Sequence, residues 1–401
     1  MFEQVEIPYG CYWSSPFVRW QGSMQHLHAV KFAAYVARRE LARRDIDPKS
    51  FDAGVFGISI YQHQSFYGTP WFMGLLGAPQ APGPTVSQVC ASGVRALLMG
   101  AQEIHSGLAQ TVLTATADRC SNGPHTYYPA QSAPGGTGVA ENVVLDSFSC
   151  DPLGNHSMLQ TAENVAAKFS ISTAEQHDVV LRRYEQYRDA LADSQAFQRR
   201  YMDLPFAIPD PRFRKTIGEI DGDEGVTESV ADGLAKLKPV VEGGTVTFGG
   251  QTHPADGNAA IVVADRDHAR ELSSNTAVQI RILSVGQSRA ELAYMPEAPY
   301  TAARAALQRA DMSFDDMDAI KTHNPFAVND IVFARKAEVS LQDFNNFGCS
   351  LIWGHPQAPT AMRSIIELIE ELVVRGGGRG LFTGCAAGDS AMAIVLAVDN
   401  R

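Results

Sequence analysis

One supersecondary unit occurs twice in this chain, far apart, and nothing else in the sequence restricts the fold as strongly. In its first occurrence a loop carrying Cys90, within Ser87-Gln-Val-Cys-Ala-Ser-Gly93, opens a helix with Val94, Leu97, Leu98, Ala101 and Ile104 at near-helical spacing. Gly107 ends that helix, and Thr111-Val-Leu-Thr-Ala-Thr-Ala117 follows as a strand. In the second occurrence a loop carrying His355 opens a helix with Ile365, Ile366, Leu368, Ile369 and Leu372. Gly376-Gly-Gly378 stops it, and Leu381-Phe-Thr383 follows as a buried strand. Such an echo predicts a duplicated α/β architecture. Each copy places a reactive side chain at a helix start, where unpaired backbone N–H groups favour negative charge. A thiol there is expected to have a lowered pKa.

Bulk properties remove several functions. With 401 residues, 45% of them hydrophobic, the chain can bury a large core divided among two or three compact units. A net charge of -11 argues against a nucleic-acid binder or a partner of anionic membranes, both of which require a basic face. The N-terminal Met1-Phe-Glu-Gln-Val-Glu-Ile-Pro8 has no basic or apolar targeting pattern, and the apolar run Ala391–Val398 is too short to span a bilayer, so a cytoplasmic protein is expected. Cysteines 11, 90, 120, 150, 349 and 385 lack the paired spacing of a zinc site or disulfide framework; reduced thiols and no bound metal are expected. Residues 119–247 read as an insertion: loops rich in Gly, Pro and Ser, then a helix with Ala162, Val165, Ala166 and Phe169, then the polar stretch Asp210–Gly225. Within it Asp221-Gly-Asp-Glu-Gly225 lacks the alternating ligands of a calcium loop and is expected to be a solvated turn.

Four loops carry chemistry: Val89-Cys-Ala-Ser-Gly93; His323-Asn-Pro-Phe-Ala327 after the strand-like Ala319–Thr322; Gly348-Cys-Ser-Leu-Ile-Trp-Gly-His-Pro356; and Gly384-Cys-Ala-Ala-Gly-Asp389. In this order and at these separations they resemble the thiolase family over nearly the whole chain. Thr161–Ala166, Leu234–Pro239 and Gly244–Thr247 add to the likeness, in the region thiolases use for CoA. The resemblance implies a five-layered αβαβα fold: an N-terminal half (residues 1–118 and 248–272), an inserted CoA-binding loop domain (119–247) and a C-terminal half (273–401). It also implies that Cys90 takes the acyl group, His355 takes the Cys90 proton, and Cys385 serves as second acid and base. Backbone N–H groups of Cys90 and Ala387 would form one oxyanion hole, and His355 with His323 the other. The implied reaction is CoA-dependent cleavage of a 3-oxoacyl-CoA, with CoA a substrate and no permanently bound cofactor.

The sequence departs from the family where His323 replaces the usual asparagine together with a late cysteine, and where the loop after His355 reads Pro-Gln-Ala-Pro-Thr-Ala361 with two glycines lost. An imidazole at position 323 is expected to titrate near neutrality and alter the pH profile. His156, Met158, Phe326 and Trp353 are candidates for the acyl and CoA channel, with Tyr294 and Met295 near it; core packing is the alternative for Phe326, Trp353, Tyr294 and Met295, a surface loop for His156, and a pocket lined by them would suit a bulky or aromatic acyl group of the benzoylsuccinyl-CoA type. A homodimer or tetramer, with or without a small accessory subunit, is implied. A condensing enzyme of the ketoacyl-synthase type and a non-catalytic thiolase-like scaffold are the alternatives.

Overall fold

The structure, a computed structural model, describes residues 2–400. Both copies of the repeated unit fold alike. Strand Ala53–Gly57 runs parallel to Thr111–Arg119, helix Ser92–His105 lies between them in the chain, and Ala255–Asp265 returns antiparallel to Thr111–Arg119. In the second copy Ala319–His323 runs parallel to Gly377–Ala386, helix Ala358–Val374 intervenes, and Ser390–Asn400 returns antiparallel. The layers follow from the packing: helices Ala29–Arg43 and Gly68–Leu76 lie outside the first sheet, and Ala298–Arg309 and Ala327–Ala337 outside the second. Ser92–His105 and Ala358–Val374 lie between the sheets and against each other. The two sheets are also hydrogen-bonded into one ladder of 11 strands, because Val5–Ile7 pairs with Ala255–Asp265 on one side and Val278–Arg289 on the other. Val5–Ile7 thus joins the two facing edges, and Tyr12–Ser14 and Val18–Arg19 continue the pairing along Ala255–Asp265.

Contact between the central helices is close enough to require glycine. A Cβ on Gly93 would stand 2.6 Å from the backbone nitrogen of Met362 and 3.1 Å from the carbonyl oxygen of Ala358. Helix Ala358–Val374 is buried from Ala358 through Leu372, charged residues included. Its charges are paired: Arg363 with Asp223 (2.6 Å) and Glu367 (3.1 Å), and Glu367 in turn with Lys321 (3.1 Å). The expected solvated turn at 221–225 is therefore corrected at Asp223, while Asp221 is exposed. The Asp223 side chain is buried because it supplies the countercharge to a guanidinium that the helix carries into the core.

Residues 119–247 contain the hairpin His125–Tyr128/Val139–Asn142, helices Val143–Ser149, Met158–Lys168 and Thr173–Gln195, and a second hairpin Phe206–Pro209/Thr216–Ile220. Glu163 accepts hydrogen bonds from the backbone of Thr245 and Val246 at 2.9 Å, bracing two stretches expected near CoA against each other. Among the described residues no helix is long and apolar enough to cross a membrane.

Candidate active site

Cys90 sits on a strained turn. The tight turn Val89–Ala91 precedes the helix proper, and Val89 adopts φ +48°, a conformation costly for a β-branched residue. Hydroxyls hold it in place: Ser92 Oγ donates to the Val89 carbonyl (2.7 Å) and accepts from Gln88 N–H (2.8 Å), while Ser59 Oγ donates to the same carbonyl at 3.0 Å. Asp118, at the end of its strand, accepts from the backbone of Ser59, Ile60 and Ala358 and so ties the Cys90 half to the start of the helix that follows His355. Burial raises the Asp118 carboxyl to about 7.

The structure brings Cys90, His323, His355 and Cys385 together. His355 Nε2 lies 3.1 Å from Cys90 Sγ, a nucleophile-to-base contact. A ring whose Nε2 is to take the thiol proton carries its own on Nδ1, where Thr360 Oγ1 stands ready as acceptor at 2.6 Å. The ring of His323 packs against that of His355, centroids 4.2 Å apart, and one donor atom from each of Cys90, His323 and His355 lies within 4.8 Å of the others. His323 Nδ1 meets Ser350 Oγ at 2.7 Å, while Nε2 is buried without a partner among the described residues. Cys385 Sγ, at the end of strand Gly377–Ala386, accepts a hydrogen bond from Asn329 Nδ2 at 3.4 Å.

Electrostatics overturn two expectations. Burial pushes the Cys90 thiol up to about 12, although the backbone N–H groups of Ala387 and Cys90 itself, which face the sulfur, pull the other way. A helix start that lowers this pKa is thus outweighed by removal of the sulfur from water. Burial likewise lowers His323 to about 3, so it stays neutral at ordinary pH instead of titrating near neutrality. His355 is held well below its usual range by burial and by its neighbour His323. Burial raises Cys385 well above the ordinary thiol range, with a smaller opposing pull from Asn329. At rest, both thiols and both imidazoles are neutral.

Cys90, His355, Cys385 and Ala387 open onto a cavity of about 370 Å³ whose walls include Phe148, Met158, Leu159, Met295 and Phe326. A second cleft of about 710 Å³, lined by Thr227–Val230, Leu234 and Phe248, shares Gln251, Thr252 and Pro254 with it. Met158 and Phe326 thus stand where the sequence expected them. Trp353 does not: it is fully buried, edge-on to Phe17 and beneath the Arg363 guanidinium, because its neighbours offer an apolar and cationic slot. His156 lies behind the wall, 4.0 Å from Asp389, while its neighbours Ser157 and Met158 face the cavity. Tyr294 stacks under the Lys168 ammonium (4.9 Å) and is not among the cavity's residues. Sequence reasoning missed Gln357, whose Oε1 is 3.2 Å from Cys90 Sγ, together with Thr360, Asn329 and Asp118. The only sequence signal for Gln357 was the altered loop after His355.

The fold belongs to the thiolase-like class of duplicated α/β proteins. The chain superposes on human mitochondrial 3-ketoacyl-CoA thiolase in complex with CoA with a TM-score of 0.88, at 23% identity and 98% coverage of both chains. For the acetyl-CoA acetyltransferase of Bacillus anthracis the TM-score is 0.89, again at 23% identity and 98% coverage of both. In sequence, residues 13–267 match the thiolase N-terminal domain and residues 276–398 the thiolase C-terminal domain, so the chain belongs to the thiolase family of acyltransferases. It is 27% identical to an acetyl-CoA acetyltransferase of Pseudomonas aeruginosa, over 94% of this chain and 96% of that one. With human mitochondrial 3-ketoacyl-CoA thiolase the identity is 25%, over 95% and 96%.

Proposed function

We propose that this thiolase-family protein cleaves a 3-oxoacyl-CoA with free CoA, through an acyl group carried on Cys90. The observation that carries the reading is the 3.1 Å contact between Cys90 Sγ and His355 Nε2, in a cavity that Cys385 also lines. Because both groups are neutral at rest, deprotonation accompanies attack: the thiol proton passes to His355 Nε2 as Sγ bonds to the 3-oxo carbon. The C2–C3 bond then breaks, and the departing enolate takes the Cys385 proton. Incoming CoA gives its proton to the Cys385 thiolate and attacks the thioester, and Cys90 recovers its proton from His355. Backbone N–H groups of Cys90 and Ala387 stabilise the oxyanion formed on the 3-oxo group. The thioester oxygen of the enolate is met by the newly formed His355 Nε2–H and by His323, whose Nε2 carries the proton when the Ser350 hydroxyl turns from the Asn324 amide oxygen to donate to Nδ1.

The apolar cavity walls support an acyl group bulkier than acetyl, aromatic ones included, and the adjoining cleft accommodates the CoA moiety. The test is mass spectrometry of Cys90 after exposure to 3-oxoacyl-CoAs of increasing bulk. Acylation at Cys90, strongest with bulky chains and abolished in Cys90→Ala, is expected. Acylation that persists in that variant, or maps to Cys385, overturns the reading.

A further inference from the structure

Beside His355, a second polar side chain meets the Cys90 sulfur. Gln357 is 3% exposed, faces the same cavity, and holds its Oε1 at 3.2 Å from Cys90 Sγ, the same sulfur that His355 Nε2 approaches to 3.1 Å, and it pulls the His355 pKa upward against burial. Its backbone has a positive φ (φ 51°, ψ −103°) at the entrance to helix Ala358–Val374, a conformation that disfavours a side chain. Pro356 and Pro359 flank it, and the helix start is secured by Asp118, which accepts from Ala358 N–H at 2.8 Å. The fold thus places an amide oxygen beside the reacting sulfur at a conformational cost, which a merely space-filling residue would not require.

We propose that Gln357 is a catalytic residue whose Oε1 accepts the hydrogen bond of the His355 imidazolium while the acyl group is on Cys90. The proposal rests on the acyl-cysteine reading above. In the resting site the thiol proton lies between two acceptors, His355 Nε2 and Gln357 Oε1. During attack the S–H bond breaks, the proton joins the Nε2 lone pair, and Sγ forms its new bond to the acyl carbon. The sulfur, now a thioester, is a poor acceptor, so once the enolate has left the Nε2–H would face an apolar cavity with its charge unmatched. Gln357 Oε1 is already in place to receive it. Asn329 does the converse for Cys385, donating Nδ2–H to the sulfur that becomes a thiolate when the enolate leaves. The acyl-enzyme is therefore held as an imidazolium and a thiolate, each satisfied by a neutral amide that needs no protonation change of its own. Aspartate or glutamate at 357 would instead hold His355 protonated before attack and remove the base.

Two variants test this, each carried through thermal denaturation and circular dichroism to establish folding. Gln357→Met keeps length and removes the acceptor; a hydrogen bond to a charged group corresponds to about tenfold to hundredfold in rate. Acylation of Cys90, timed by quenched-flow mass spectrometry, is expected to slow by that factor with substrate affinity little changed. Gln357→Glu is expected to give an acylation rate that rises with pH through neutrality, where the parent's His355, held well below its usual range, is already neutral and its rate shows no such limb. Gln357→Met acylating within about twofold of the parent, or a Gln357→Glu profile superimposable on the parent's, overturns the proposal. If the parent is acylated by no 3-oxoacyl-CoA, the thiolase reading falls. Alkylation of Cys90 by iodoacetamide then tests the amide alone: Gln357→Met slowing it tenfold or more at pH 7 supports the role, and an unchanged rate overturns it.

Discussion

Removing the Asp223 carboxylate strands a guanidinium in the core of this protein. Asp223 receives Arg363 through two parallel hydrogen bonds, Nη1 to Oδ1 at 2.6 Å and Nη2 to Oδ2 at 2.8 Å, and neither side chain reaches solvent. It also accepts from Phe17 N–H (2.8 Å) and from the Tyr187 hydroxyl (3.1 Å). In Asp223→Ala the guanidinium keeps only Glu367 and the faces of Phe17 and Trp353, while Lys321 still draws on the same Glu367. A buried ion pair broken on one side costs about 3–5 kcal/mol, mostly from the stranded charge. Urea unfolding followed by tryptophan fluorescence should show a loss of that size. Removing the stranded charge as well, in Asp223→Ala/Arg363→Met, should recover a large part of it. The reasoning is refuted if the single variant lies within about 1 kcal/mol of the parent, or if the double variant loses the sum of the two single losses.

Two further outcomes follow from the site. Because Cys90 and His355 are both neutral at rest and the thiol proton passes to His355 as the sulfur attacks, iodoacetamide alkylation of Cys90 should change by less than about twofold between pH 7 and 9, whereas in His355→Ala, where only the thiolate of a thiol raised to about 12 reacts, it should rise about tenfold per pH unit with no plateau; a parent rate that rises as steeply as the variant's, read by peptide mass spectrometry, would show that His355 takes no proton. Gly93→Ala places a Cβ 2.6 Å from the Met362 backbone nitrogen and must push the two central helices apart. It should cost about 1–3 kcal/mol in stability, read by urea unfolding, and should lower the rate of Cys90 acylation; a variant that matches the parent in both would show that the helices have room to give.

What could be read from the chain was local. The loop–helix–strand units around Cys90 and His355, the strand before His323 and the strand running into Cys385 are all written in short-range periodicity and in glycines at the stops, and the folded chain carries each of them. The reactive residues could be named because cysteine and histidine are few and sit in distinctive loops. Gln357, Asn329, Thr360 and Asp118 could not, since an amide, hydroxyl or carboxylate acquires its task only from what it touches, and Gln357 meets Cys90 across 267 positions of chain. The same limit misplaced Trp353, whose loop suggested a channel and whose true partners, Phe17 and Arg363, come from distant elements. It also misread Asp223 as solvated and set the wrong sign on the Cys90 pKa.

The sequence by itself determined which elements form and which side chains have the chemistry for acyl transfer, because both depend on neighbours within a turn or two. Only the tertiary structure decided their proton states and their company. Packing the two helix starts against each other removes water from around Cys90, His323 and His355, and that loss of solvent, invisible in any local pattern, leaves all three neutral until a substrate arrives.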